Sequence, residues 1–401
     1  MSYAIDSFGY PLGFKVIETA AHSNLTLNKI GREIIKVEAC HLIGHQREAI
    51  LTEGGGHSWR LTSDEGKHLK GTDLAPFPFG YFNAGLQADL LNRIRHYATA
   101  LNLHLSDLSL KLDNEYWLLG SFITGSGKGV ANPSVIEIDL KSDFSDHEIQ
   151  NLINCAIQAS PSMAFLQQQL KSTFSLTVNG RRKILNELTD PMVEIPMDPF
   201  LQYPEPLKPV ILSHPELDII RKLSLREPGD ISIAPSGSTT KIVRNIKGQS
   251  SFSRIDGLTE IESWLALPGM SHFLFVTDEG GTSQAPSGLG LLSAGVAFCF
   301  ITQIARYIEN MNLNVDAIRL VQFIPFSLSS EKNIDAHNGD AEPIETHVFL
   351  NGSLREDMFE NLLNMSARTC YLHATANNSL QPKIKVIHNS REICMELSNL
   401  R

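Results

Sequence analysis

The apolar positions follow a period of two in some stretches and of three to four in others, and one stretch stands apart from both. From Leu289 to Ile301 nearly every residue is apolar, with small residues (Gly290, Ser293, Ala294, Gly295, Ala297) threaded through. This predicts a helix over Pro286 to Met311, buried on every side, with neighbours pressed against its backbone. At about 1.5 Å per residue it would run roughly 40 Å, the core helix of a domain. Its apolar run falls short of the roughly 18 residues that a bilayer span needs, so no membrane crossing is expected. Strand patterns surround it: REIIKVEA from Arg32, SHFLFVT from Ser271, VDAIRLVQFIPFSL from Val315, PIETHVFL from Pro343 and PKIKVIH from Pro382.

The pattern occurs twice. NAG at Asn83 recurs as SAG at Ser293, IRHYATALNLHLSDL at Ile94 as IARYIENMNLNVDAI at Ile304, and IQNLIN at Ile149 as FENLLN at Phe359, all at a spacing of 210 residues. DEG at Asp64 recurs at Asp278, at a spacing of 214. A constant offset points to two fused copies of one unit. Each copy is expected to be α+β, an antiparallel sheet with a long central helix; in the first copy that helix covers Phe77 to Asn102. A second helical region should start at Asp146, and its equivalent at Ser353, each opened by a capping box (Ser145 with Glu148, Ser353 with Glu356). GSGKG at Gly125 lies between two strands and is read as a hairpin connection rather than a phosphate loop. Thr189 to Glu216 holds seven prolines, which forbid a long helix or a central strand. The expected organisation is therefore residues 1–188 as one domain, 189–216 as linker and 217–401 as the second domain.

The net charge of −10, with no basic run, disfavours nucleic acid and anionic membranes as partners. The first residues show no basic segment leading into an apolar core, so no signal peptide is expected. Five scattered cysteines argue against a secreted disulfide framework and for a reducing, cytoplasmic setting. The 210-residue offset sets Cys299 opposite Asp89 and Cys370 opposite Ser160. Only the second copy is equipped for thiol chemistry. Cys155 aligns with Met365 and reads as core; Cys40 and Cys394 lie in or near strands. Cys40, His41 and His45 form a thiol and imidazole group without a fourth ligand, so no metal site is expected.

DEGGTSQAPSGLGLLSAGVAFCF from Asp278, followed by LLNMSARTCYL from Leu362, resembles the osmotically inducible protein C / organic hydroperoxide resistance (OsmC/Ohr) family. The first copy, SDEGKHLKGTDLAPFPFGYFNAGLQADLL, resembles the same approach segment without the cysteines. The resemblance implies two tandem OsmC-like domains forming an intrachain pseudo-dimer, with further homo-oligomerisation left open. It implies a cofactor-free thiol peroxidase acting in oxidative-stress defence. Cys299 would attack an organic hydroperoxide, Cys370 would resolve the sulfenic acid, and a dithiol reductant would restore the pair.

A peroxidatic cysteine must react as a thiolate. Cys299 lies 13 residues beyond Pro286, too far for the helix N-terminus to help, so a cation is required. The family commonly supplies an arginine on a strand before the helix and a glutamate after the approach proline. Here SHFLFVT holds no arginine and Ser287 follows the proline. Arg60, Arg93, Arg254 and Arg306 are the candidate substitutes. The missing pair also leaves open a second reading, a non-catalytic or weakly active binding protein of the same fold.

Overall fold

The computed structural model describes residues 3–18, 31–54, 56–121, 123–191, 194–203, 205–209, 217–229, 242–252, 257–281, 284–330 and 337–395. The first half gives β1 (Gly13–Glu18), β2 (Gly31–His41), β3 (Arg47–Thr52), β4 (His57–Ser63), α1 (Pro78–Ala100), β5 (Asp107–Leu119), β6 (Lys128–Ala131), β7 (Val135–Lys141), α2 (Asp146–Gln158), α3 (Pro161–Gln167), β8 (Thr173–Val178) and β9 (Arg181–Lys183). The linker holds one short helical turn, α4 (Pro199–Gln202). The second half gives β10 (Ile220–Leu225), β11 (Arg244–Phe252), β12 (Leu258–Leu265), β13 (Ser271–Asp278), α5 (Gly288–Met311), β14 (Val315–Ser330), β15 (His337–Ala341), β16 (Glu345–Gly352), α6 (Glu356–Thr369), α7 (Tyr371–Asn377), β17 (Lys383–His388) and β18 (Arg391–Ile393).

Element for element, the second half repeats the first. The 210-residue offset reaches single backbone angles: Asn102 and Asn312 both end their helices in the left-handed region, at φ 55° and 48°. The halves are nevertheless not two separate bodies. One nine-stranded sheet runs β1-β4-β3-β2-β14-β16-β8-β9, with β15 paired to β14, and the other, also nine-stranded, runs β10-β13-β12-β11-β5-β7-β17-β18, with β6 paired to β5. Their order is the same with the halves exchanged. A division at residues 188 and 217 therefore cuts through both sheets. The sheets are also not wholly antiparallel: β16 pairs β8, and β7 pairs β17, in parallel. Those two pairs join strands of opposite halves, which no hairpin could connect.

Helix α5 packs on β2, β3 and β14 of the first sheet, helix α1 on β5, β11 and β12 of the second, and the two helices pack on each other between the sheets. Their crossing explains the repeated small residues. A Cβ on Gly85 would fall 2.4 Å from the Gly288 oxygen and the Leu292 nitrogen, and one on Gly295 would fall 2.6 Å from the Phe82 nitrogen. The obstacles are backbone atoms, which no rotamer change can move. By length and composition α5 reaches what a bilayer span needs, contrary to the sequence estimate; every residue of its apolar window is buried within the protein.

The second helical region differs from expectation in two ways. The Ser145–Glu148 capping box forms, but its equivalent does not: Arg355 stands at the N-cap of α6, and Glu356 is drawn to Lys183 Nζ at 2.6 Å. The expected helix from Ser353 to Leu372 is two helices that break at Cys370, as the first half breaks at Ser160 before Pro161.

Replacing Gly295 by Val should destabilise the protein by about 3 kcal/mol, because the methyl groups meet backbone and the helices must part. Gly44→Asn, at a left-handed turn position with open space around it, should stay within about 0.5 kcal/mol. Denaturant melts of both variants check the contrast.

Candidate active site

Both cysteines of the second half are buried, Cys299 at 2% exposure in the middle of α5 and Cys370 at 0% between α6 and α7. The helix break turns the Cys370 side chain toward α5, and the two sulfurs lie 3.4 Å apart, with the Cys370 thiol donating to Cys299. Burial, first, and then Cys299 push the Cys370 thiol well above its ordinary pKa; the backbone N–H groups of His373 and Leu372 oppose the shift. His373 Nδ1 lies 3.2 Å from the Cys370 sulfur. Burial lowers the pKa of His373 to about 3, so its ring is neutral. The Gln322 amide, oriented to donate from Nε2, contacts His373 Nε2 at 3.3 Å, which leaves the ring proton on Nδ1, facing the sulfur. A chain of donors thus runs from Gln322 through His373 and Cys370 to Cys299.

One hairpin glycine of each half lies against the helix break of the other half. A Cβ on Gly129 would lie 2.8 Å from the Thr369 oxygen, and one on Gly339 would lie 2.5 Å from the Ser160 carbonyl carbon in the other half. GSGKG is a hairpin connection, as read from sequence, and its last glycine lets β6 lie against the residue before Cys370.

Arg244 and Arg306 share a cavity with Cys299, and a further buried cation, missed by sequence reasoning, comes from the first half. Arg47, at the start of β3 in the first half, is 0% exposed and interacts electrostatically with Cys299. Burial draws its pKa down to about 10, against the pull of Glu65 and Asp64, and it stays protonated at neutral pH. Its Nη1 donates to the His45 carbonyl, while Nε and Nη2 have no hydrogen-bond partner among the described residues. Glu65, from the first-half DEG, lines a cavity of about 20 Å³ together with Cys299, Arg244, Arg306 and Tyr371. Burial raises the Glu65 pKa, and Arg47, Arg306 and Arg244 hold it down. Asp64 fixes the loop by accepting from Thr72, Leu74 and Glu65. The repeated DEG was the available signal: a buried acidic pair retained in both halves has work to do in each.

Of the four arginines expected from sequence, Arg306 reaches the cavity. Arg60 does not: it pairs with Glu48 at 3.0 Å and lines a different cavity. Arg93 pairs with Asp89 at 3.1 Å in the opposite half. Arg254 lies outside the described residues. The thiol and imidazole group at Cys40 separates in space. The Cys40 thiol faces Glu48, His41 bonds the Gly44 carbonyl and His45 approaches Glu309. Among the described residues no cluster of His, Cys, Asp or Glu is arranged to hold a metal ion.

The equivalent place in the first half holds a closed knot. Asp89 accepts from Arg93 Nε at 3.1 Å, Ser160 Oγ at 2.5 Å and the Ser162 N–H at 3.1 Å, all buried. Glu279, from the second-half DEG, accepts from the Gly288 N–H at the start of α5. Glu53 accepts from the Ser287 N–H at 2.9 Å in the same turn. Burial and the neighbouring Asp89 raise the Glu279 pKa to about 8; burial and Glu33 raise that of Glu53 to about 7. Glu65 therefore serves the opposite half, whereas Glu279 bonds within its own half and meets the opposite one through its neighbour Asp89.

Residues 280–385 match the family profile described as OsmC-like protein. Among solved structures the chain resembles an OsmC-like hydroperoxide resistance protein from Jannaschia sp. CCS1, at 18% identity over 32% of this chain and 83% of that one, with a TM-score of 0.21. No curated relative matches the chain.

Glu279 is neutral when folded up to about pH 8 and ionised when unfolded above about 4.5, so stability falls as pH rises between those values. Relative to the native chain, Glu279→Gln should gain stability across that window, with a slope of up to about 1.4 kcal/mol per pH unit. Denaturation of both proteins at several pH values measures the slope; parallel profiles would refute the assignment.

Proposed function

We propose that the chain, a member of the OsmC/Ohr family through residues 280–385, is a thiol-dependent peroxidase that reduces organic hydroperoxides. The observation that carries this reading is a 3.4 Å contact between two buried sulfurs on separate elements, beside a cavity that Arg244, Arg306 and Glu65 also line. The absent strand arginine that favoured a non-catalytic binding protein has a substitute in Arg47 and Glu65, delivered from the other half. The two halves then stand where an OsmC-type dimer has two subunits.

In this mechanism Cys299 attacks the terminal oxygen of the hydroperoxide as its thiolate. The O–O bond breaks, the alcohol leaves with a proton, and Cys299 becomes a sulfenic acid. Cys370 attacks the Cys299 sulfur, and its thiol proton goes to the departing oxygen as water. His373 Nδ1–H stabilises the negative charge that develops on Cys370. An external dithiol in a reducing, cytoplasmic setting then reduces the disulfide. The cycle needs no cofactor, since the thiols supply both electrons. A cavity of about 20 Å³ holds little more than the terminal O–O group, leaving the apolar body of the substrate against Phe77, Phe79 and Leu265 at its wall.

Stoichiometric hydroperoxide should consume two of the five thiols and give one Cys299–Cys370 bridge by peptide mapping. Cys299→Ser should abolish turnover, and Cys370→Ser should allow one oxidation and then pass to the sulfinic acid. Arg47→Met should lower kcat/KM by on the order of a hundredfold. If both cysteines stay reduced in folded protein under excess peroxide, the proposal fails.

A further inference from the structure

The turn between β17 and β18 closes against the residue after β7, and its counterpart between β8 and β9 closes against the end of β16. Both use one asparagine. Asn389 Nδ2 donates to the Ser142 carbonyl at 2.8 Å, and its Oδ1 accepts from the Ser142 N–H at 3.2 Å. Asn179 does the same with Gly352, at 2.9 and 3.1 Å. The clamp asks only for backbone groups, since a glycine satisfies it in one half. The 210-residue offset sets Ser142 opposite Gly352, His388 opposite Val178 and Asp146 opposite Glu356. Three side chains have thus been added at one turn and not at the other.

Those three are aligned. Ser142 Oγ lies 3.0 Å from His388 Nε2, and His388 Nδ1 lies 2.8 Å from Asp146 Oδ1. A carboxylate only accepts, so in the neutral ring the proton sits on Nδ1 and Nε2 is the acceptor. Asn389 Nδ2, oriented by the two Ser142 backbone groups, faces that same nitrogen at 3.1 Å and can only donate to it. The Ser142 hydroxyl therefore donates to His388. Asp146, the first residue of α2, holds the ring with one oxygen and accepts from Arg391 with the other. Hydroxyl, imidazole and carboxylate stand in the order and within the reach of an acyl-transfer triad. Ser142 and His388 lie just beneath the surface, at 7% and 4% exposure, and Lys141, Asp143 and Asn389 beside them are exposed. Stability of the turn does not account for the set, because Val178 and a Glu356 turned to Lys183 serve in the other half.

We propose that Ser142, His388 and Asp146 form a second catalytic site, independent of the thiols, that hydrolyses small carboxylic esters. Ser142 Oγ bonds the ester carbonyl carbon as its proton passes to His388 Nε2. The C–O bond to the alcohol breaks, and the alcohol leaves with that proton. Water then attacks the acyl-serine, giving one proton to His388; the acid departs, and the proton returns to Oγ. The Phe144 N–H, 3.4 Å from Oγ, is a donor for the charge that develops at the reacting centre. Asp146 is the positioning residue: it fixes the ring and its tautomer. Burial of Ser142 admits a short acyl group only, and the opposite charges of Lys141 and Asp143 favour an uncharged ester.

A fluorophosphonate and 4-nitrophenyl acetate test this on the full chain, with peptide mapping to locate the adduct. The fluorophosphonate should label Ser142 in the folded protein and leave it unlabelled in denaturant. 4-Nitrophenyl acetate should place an acetyl group on Ser142 that is lost on standing. His388→Gln should slow labelling of Ser142 by about a hundredfold, and Asp146→Asn by about tenfold. Asp146→Glu should restore the rate to within about threefold of the native chain, which loss of a merely structural contact would not predict. Thermal melts identify the variants that remain folded, and the native chain alone decides the first two results. No label on Ser142 in folded protein, acetyl groups confined to lysines and cysteines, or an unchanged rate in folded His388→Gln or Asp146→Asn would each overturn the proposal.

Discussion

Two helices cross with their backbones in contact, and the rest of the molecule is arranged about that crossing. At Gly85 and Gly295 there is no room for a side chain, so α1 and α5 share one fixed point. A helix held that closely cannot slide along its partner without lifting off it. The fixed point sets how α5 lies beneath the first sheet and α1 beneath the second. It also brings two first-half glutamates to α5, Glu65 beside Cys299 and Glu53 at the Ser287 N-cap.

The same geometry explains how the two sites could diverge without loss of fold. Replacing a buried thiol by a carboxylate would ordinarily cost several kcal/mol. At Asp89 the charge is met by Arg93, the Ser160 hydroxyl and the Ser162 N–H, so the place is a structural one. Removing either partner of such a buried pair is costly, which ties the first half to its present chemistry. The thiol pair sits among residues of both halves, because its sulfurs come from α5 and the α6–α7 break while Glu65 of the first half lines the same cavity.

Much of this was legible in the sequence. The repeat, both core helices and the hairpins follow from periodicity, offset and composition, whereas the pairing of Cys299 with Cys370 comes from the family resemblance. The exchange of strands is not local. REIIKVEA and VDAIRLVQFIPFSL each read as a strand, but nothing in either says that they pair with one another. The cavity at Cys299 likewise takes Glu65 from the opposite half, which the SHFLFVT strand could not reveal. Ser353 and Glu356 have capping-box spacing, yet Lys183, from a strand of the other half, takes the carboxylate. Each departure is a contact between halves, which one-dimensional pattern cannot see.

Strand exchange has a further consequence, in the order of events during synthesis. Strand β2 finds its neighbour in β14, and β8 finds its own in β16, so the first sheet stays incomplete until residue 352 has been made. Until then the nascent chain carries the edges of β2 and β8 unpaired, exposed to mispairing. Closing contacts of such long sequence separation pays a large loop-entropy cost before any reward, which makes assembly slow. The fused chain holds its partner strands at a high local concentration, independent of how dilute the protein is, in exchange for a long wait with open edges.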